Sequence, residues 1–177
     1  GIAIEEIAKN IKTPFYIYSE DSIKQNIKGY MSQASQKTLF CYSVKAKSNL
    51  SLLTLSASQG MGFDVVSKGE LHRAIKAGAN TKKIVYSGVG KTKEEIAYAL
   101  NNKILCFNVE SEEELVAINS QASLMKLKAD ISIRINPDVK VKTHPYIATG
   151  MRENKFGIAY EDAFDIYKKA KTLDSIN

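Results

Sequence analysis

Hydrophobic and polar positions along the chain alternate between two rhythms. Short unbroken apolar runs, rich in Val, Ile, Phe and Tyr, occur at Leu39–Val44, Phe63–Val66, Ile84–Tyr86, Ile104–Val109 and Ile131–Ile135. Such runs predict strands buried on both faces. Amphipathic stretches lie between and after them, at Asn49–Gln59, Glu70–Ala77, Lys93–Leu100, Glu112–Ile118 and Tyr160–Ala170, and these predict helices. Three helix starts carry Ser or Thr with Glu three residues on, at Ser67–Glu70, Thr92–Glu95 and Ser111–Glu114. That spacing predicts capping boxes. Gly60 and Gly78 fall where helices should stop. Pro14–Ser19 and a helix from about Glu20 to Ala34 precede the first unit.

Strand followed by helix, five times over at a period of roughly 20–26 residues, predicts an α/β fold with a parallel sheet under helices. A doubly wound sheet and a (β/α)8 barrel both meet that description. The even spacing favours the barrel, although a barrel takes about 250 residues and eight units. No low-complexity linker divides the chain.

Composition narrows the class. The 177 residues are 44% hydrophobic and 25% charged, the balance of a globular protein, and no apolar stretch suits a membrane span. The first ten residues include Glu5 and Glu6 and lack the basic-then-apolar pattern of a secretory leader. The net charge of +6 raises the question of nucleic acid, but the lysines are scattered and alternate with acids. Nucleic acid and membrane are therefore not expected as partners. Cys41 and Cys106 sit in separate apolar runs and predict buried free thiols, in keeping with a reducing cytoplasm. His72 reads as a surface residue, and His144 lacks neighbours with metal-ligand spacing, so no metal is expected.

In either parallel architecture, ligands meet the C-terminal ends of the strands. Those ends carry Lys45, Asp64, Ser67, Ser87, Gly88, Asn108, Glu110, Arg134 and Asn136. Lys45 ends an apolar run; a lysine there either snorkels to the rim or is desolvated and reactive. Lys47, beside the cap candidate Ser48, reads as solvated. Asp64 lies within an apolar strand and needs a partner. Glu70 has a structural task as the acid of the Ser67 box. The segment Tyr86–Thr92, Y-S-G-V-G-K-T, has P-loop context, but Val85 stands where that motif needs its first glycine.

Several segments together resemble one family. Tyr42–Leu50, Y-S-V-K-A-K-S-N-L, is similar to the Y-A-V-K-A-N-x-N signature of the pyridoxal-phosphate-dependent decarboxylases with an alanine-racemase-like barrel. Gly62–Leu71, G-F-D-V-V-S-K-G-E-L, looks like their second-strand motif. Arg134–Asp138, Lys142–Gly150 and Lys155–Gly157 read R-I-N-P-D, K-T-H-P-Y-I-A-T-G and K-F-G, and Thr13–Ser19 resembles the family's beginning. The combination is most like the branch acting on meso-diaminopimelate rather than on ornithine or arginine.

The resemblance implies a TIM-like barrel of the alanine racemase type. Residues 1–35 would be an N-terminal strand and helix leading in, and residues 36–177 an incomplete pyridoxal-phosphate-binding barrel. It further implies that the glycine-rich phosphate cradle and the C-terminal β-domain lie beyond Asn177, so that this stretch alone is inactive. Lys45 would be the Schiff-base lysine, Asp64 and Glu70 would lie near its amine, and Arg134 near the ring of pyridoxal 5'-phosphate. The expected reaction is decarboxylation of meso-diaminopimelate at its D-centre to L-lysine and carbon dioxide, by a cytoplasmic homodimer. Ser43 and Lys47 depart from the signature; Ser43 is a small change, and Lys47 adds a charge beside the amine. A racemase, a non-enzymatic cofactor-binding barrel, another decarboxylase of the fold and a silent homologue are the competing readings. The motif after Lys45 does not fit a racemase.

Overall fold

A computed structural model of the chain describes residues 1–35, 37–137 and 156–177. They form two compact units, Gly1–Ser35 and Gln36–Asn177. The first unit holds helices α1 (Ile4–Asn10) and α2 (Glu20–Ser32), the latter capped by Ser19, whose side chain accepts from the Ser22 amide. Residues 14–19 form no strand, contrary to the expectation for this end; they run as irregular chain up to the Ser19 cap of α2.

The second unit is built on five parallel strands: β1 (Cys41–Ser43), β2 (Gly62–Val65), β3 (Ile84–Tyr86), β4 (Cys106–Val109) and β5 (Ile131–Ile133). Their spatial order is their sequence order, β1-β2-β3-β4-β5. Each crossover therefore advances in the same direction, as in a (β/α) barrel. A doubly wound sheet would reverse the order at a switch point. Between successive strands run α3 (Leu50–Ser58), α4 (Lys68–Lys76), α5 (Lys93–Asn101) and α6 (Glu112–Leu124).

Alternation along each strand separates two faces. Phe63, Val65, Ile84, Tyr86, Phe107 and Val109 are buried against the helices, where Leu53, Leu71, Ile96, Leu115 and Ile118 meet them. Tyr86 and Phe107 stack with centroids 6.1 Å apart. Burial of one such side chain is worth ~1.5–3 kcal/mol, so this layer carries the fold. Gly62 lets β1, β2 and β3 close up: a Cβ there would lie 2.2 Å from the Lys83 carbonyl oxygen and 2.9 Å from Cys41 Sγ. The opposite face carries Ser43, Asp64, Ser87, Asn108 and Ser132, polar toward the C-terminal strand ends, together with Cys41, Val85 and Cys106. Cys41 and Cys106 are free but only half-buried, a correction to the buried thiols expected.

Two elements differ from the sequence pattern. The α6 helix continues six residues past Ile118, because Ala122 prolongs the buried stripe of Leu115 and Ile118 across the polar positions 119–121. The fifth strand breaks at Arg134 and resumes as β6 (Ile135–Asn136), which pairs with β7 (Ile158–Ala159). Arg134 bridges the change of neighbour: its amide donates to Val109 O at 2.9 Å and its carbonyl accepts from the Ile158 amide at 2.8 Å. The last helix, α7 (Ala163–Lys171), leads to Ile176, which forms a parallel bridge with Ala129 at the start of the fifth strand. No described helix is long and apolar enough to cross a membrane.

Candidate active site

Lys45 stands at the C-terminal end of β1, in a short 3-10 turn, Val44–Ala46. Val44 is fully buried and pins the turn, so the next side chain emerges exposed at the rim. Tyr42 Oη donates to Lys47 O at 3.1 Å and closes the turn from behind. The helix that follows is capped by Asn49, whose Oδ1 accepts from the Ser51 and Leu52 amides, and not by Ser48. Lys45 thus takes the rim position of the two readings open to it, and Lys47 is exposed beside it.

Asp64 has the partners that its place in an apolar strand demands. Ser43 Oγ donates to Oδ2 at 3.4 Å and Ser87 Oγ to Oδ1 at 2.5 Å. Ser87 in turn accepts from Asn108 Nδ2 at 2.8 Å, and Asn108 Oδ1 accepts from Ser132 Oγ at 3.0 Å. One polar side chain from each successive strand joins this chain of hydrogen bonds, and every donor points toward Asp64. The parallel register aligns Ser43 with Asp64 and Asn108 with Ser132. Ser43, a small departure in the sequence, is therefore part of the chain.

Arg134 and Glu110 meet at the ends of the fourth and fifth strands. Glu110 is buried, its side chain 2% exposed. Arg134 Nη1 donates to both its oxygens at 3.1 Å, and the Gly88 amide donates to Oε1 at 3.0 Å. Behind it sits a second pair. Lys91 Nζ donates to Gly88 O at 2.6 Å, to Asn108 O at 3.0 Å and to Glu114 Oε1 at 2.5 Å, and lies over the Tyr86 ring. Burial pushes the Glu114 carboxyl up, and Lys91 opposes that rise. Burial, reinforced by the hydrogen bond to Glu95, pushes the Tyr86 phenol up. The lysine of G-V-G-K-T is thus consumed inside the fold, which removes the P-loop reading on physical grounds.

Glu70 performs its structural task. Ser67 Oγ accepts from the Glu70 amide at 3.2 Å, and Glu70 Oε2 accepts from the Val66 amide at 2.9 Å. Of the three expected capping boxes, only Thr92–Glu95 closes reciprocally. In the other two the Glu reaches one residue further back, Glu70 to Val66 and Glu114 to Glu110. The sequence reading gave Ser87, Asn108 and Glu110 no role beyond their strand ends, and it missed Lys91 as a structural cation. Their signal was present for Lys91 and Glu114 only as a loop motif and a cap. His72 is exposed, with Nδ1 3.2 Å from Tyr98 Oη. Residues 142–150, with His144, and Lys155 lie outside the described residues, as does Asp138. Among the described residues no cluster of His, Cys, Asp or Glu could hold a metal ion.

Lys45, Asp64 and Arg134 put an amine, a carboxylate and a guanidinium toward the C-terminal ends of parallel strands. Residues 20–177 match the pyridoxal binding domain of the pyridoxal-dependent decarboxylases, and the chain belongs to that family. Its relatives include diaminopimelate decarboxylases: that of Helicobacter pylori (strain J99) is 51% identical over 168 residues, covering 94% of this chain and 42% of the relative. That of Pseudomonas aeruginosa is 46% identical over 177 residues, covering 99% of this chain and 43% of the relative. A crystal structure of the H. pylori enzyme complexed with L-lysine superposes with a TM-score of 0.95 at 47% identity, covering 99% of this chain and 45% of that one. The chain thus spans well under half the length of these relatives.

The donor set fits pyridoxal phosphate. The cofactor's aldehyde needs a primary amine within reach of solvent, its pyridine ring needs oriented polar groups, and Lys45, Asp64 and Arg134 are of those kinds. Half-buried Asp64 and Arg134 are both fixed by hydrogen bonds rather than left to rotate.

Proposed function

We propose that the protein containing this chain decarboxylates meso-diaminopimelate to L-lysine and carbon dioxide, with pyridoxal 5'-phosphate held on Lys45. One observation carries the reading: identity of 46–51% to diaminopimelate decarboxylases over 94–99% of this chain.

Pyridoxal phosphate, when bound, supplies an aldehyde for amines and an electron sink for the pair left when a carboxylate departs. The chain's own residues do the rest. Lys45 Nζ would supply the amine that holds the cofactor, and its exposed rim position would leave that amine open to a substrate arriving from solvent. Asp64 offers a fixed negative charge; with both oxygens taken by hydroxyl donors, it faces the site without rotating away. Arg134 offers guanidinium donors beyond the one given to Glu110. Glu70 supports the start of α4 on the same side as Lys45. Such preorganisation lowers a barrier because the dipoles need not turn as charge shifts. The protein works as a cytoplasmic homodimer on a small amino-acid substrate.

Reduction of the cofactor-loaded full-length protein with borohydride, followed by peptide mapping, tests the assignment. Label on Lys45 is expected, and label on another lysine overturns it. Carbon dioxide release from meso-diaminopimelate, and not from ornithine or arginine, tests the substrate. Light scattering of the eluted protein tests the dimer.

A further inference from the structure

We infer that Glu110 is a positioning residue that aims Arg134 at the cofactor; the inference rests on the pyridoxal-phosphate reading above. The burial of the pair is lopsided. Glu110's side chain is 2% exposed and Arg134's is 40% exposed. A carboxylate so deep costs several kcal/mol unless it is paired, and both its oxygens are taken. Arg134 spends one nitrogen, Nη1, on both of them, and no described residue bonds Nη2 or Nε. Among the described residues the planar fork is thus clamped at one corner and hydrogen-bonded nowhere else. A guanidinium held in this way is suited to a planar or anionic acceptor, because little rotational freedom is left to lose.

The clamp itself has rigid backing. Glu110 directly follows β4, and its amide donates to Glu114 Oε2 at 3.2 Å. Glu114 is held by Lys91, and Lys91 also holds the carbonyl of Gly88, whose amide donates to Glu110. The loop after β3, the end of β4 and the end of the fifth strand therefore share one network of hydrogen bonds. On the other side, the Arg134 guanidinium lies 5.4 Å from the centre of the Phe156 ring. The backbone of Arg134 is pinned by Val109 and Ile158. A carboxylate whose only task was to fill the core would pair with a buried cation, as Glu114 does. Glu110 pairs with one that reaches outward.

A double-mutant cycle on the full-length protein tests this, using Glu110→Gln, Arg134→Gln and the double variant. The readouts are the dissociation constant of pyridoxal phosphate, from the absorption of the bound cofactor, and thermal unfolding of the cofactor-free protein. Glu110→Gln keeps the side chain's shape and removes the clamp's charge. The expected result is cofactor affinity weakened about tenfold by either single change, with Glu110→Gln adding less than about twofold in the Arg134→Gln background. Cofactor affinity within about twofold of wild type in folded Glu110→Gln overturns the inference, as do effects that multiply in the double variant. If Glu110→Gln does not fold, Glu110→Asp replaces it, drawing the charge back by one methylene. Weakened affinity that vanishes in the Arg134→Gln background supports the inference, and equal affinity in both overturns it. Wild-type protein that takes up no pyridoxal phosphate overturns the function reading and this inference together.

Discussion

Replacing Lys91 by methionine puts an inward-turned, paired charge to the test. The Lys91 side chain is 1% exposed and that of Glu114 10%. All three ammonium protons are engaged, on Gly88 O, Asn108 O and Glu114 Oε1. Methionine keeps the length and bulk of the stem, so the change removes charge and donors without opening a large cavity. Glu114 is then left charged and nearly buried, with the Glu110 amide as its remaining donor. Removing one partner of a buried pair costs about 3–5 kcal/mol.

The pH dependence makes the prediction specific. Burial already holds the Glu114 carboxyl above its usual range, against the pull of Lys91. Without Lys91 it rises further. A carboxyl whose pKa is higher in the folded than in the unfolded state holds its proton longer when folded, so stability falls as pH rises through the folded value. The penalty of Lys91→Met is therefore largest near neutrality and shrinks as acid protonates Glu114. Urea midpoints of wild type and variant, compared from about pH 7.5 to about pH 4.5, measure it. Adding Glu114→Gln to Lys91→Met should recover part of the loss at neutral pH. A penalty below about 1 kcal/mol, or one unchanged across that pH range, would refute the reasoning.

Three further outcomes are expected. Gly62→Ala drives a methyl into the Lys83 carbonyl at the junction of three strands and should cost about 3 kcal/mol or more; wild-type urea stability in that variant would contradict the packing. Thr92→Ala removes the reciprocal capping box of α5 and should cost ~1 kcal/mol. The loss stays near that figure, because Glu95 keeps the Lys68 amide and Tyr86 Oη, and thermal unfolding reads it directly. Burial, with Asp64 adding to it, pushes the Cys41 thiol up. Its alkylation by iodoacetamide near neutral pH should therefore be at least about tenfold slower in folded than in urea-unfolded protein, and equal rates would argue against it.

The alternation of strand and helix was legible in the chain, because it is written in short-range periodicity. Ile84–Tyr86 is a strand where the pattern placed one, and the caps at Ser67, Thr92 and Ser111 begin helices as their spacing implies. Lys45 was legible as a strand-end amine for the same reason: an apolar run ends just before it. Pattern alone left the winding of the sheet to even spacing, and the observed strand order decided it. The tertiary structure also decided the partners. Asp64 meets Ser87 23 residues on, Lys91 turns in to Glu114 another 23 away, and Glu110 meets Arg134 across 24. The break at Arg134 is of the same kind, since the strand changes neighbours there. Periodicity is a property of a few consecutive residues, whereas these pairings depend on the register and curvature of the whole sheet. Local sequence therefore determined which residues reach the strand ends, and the packed sheet determined which of them touch.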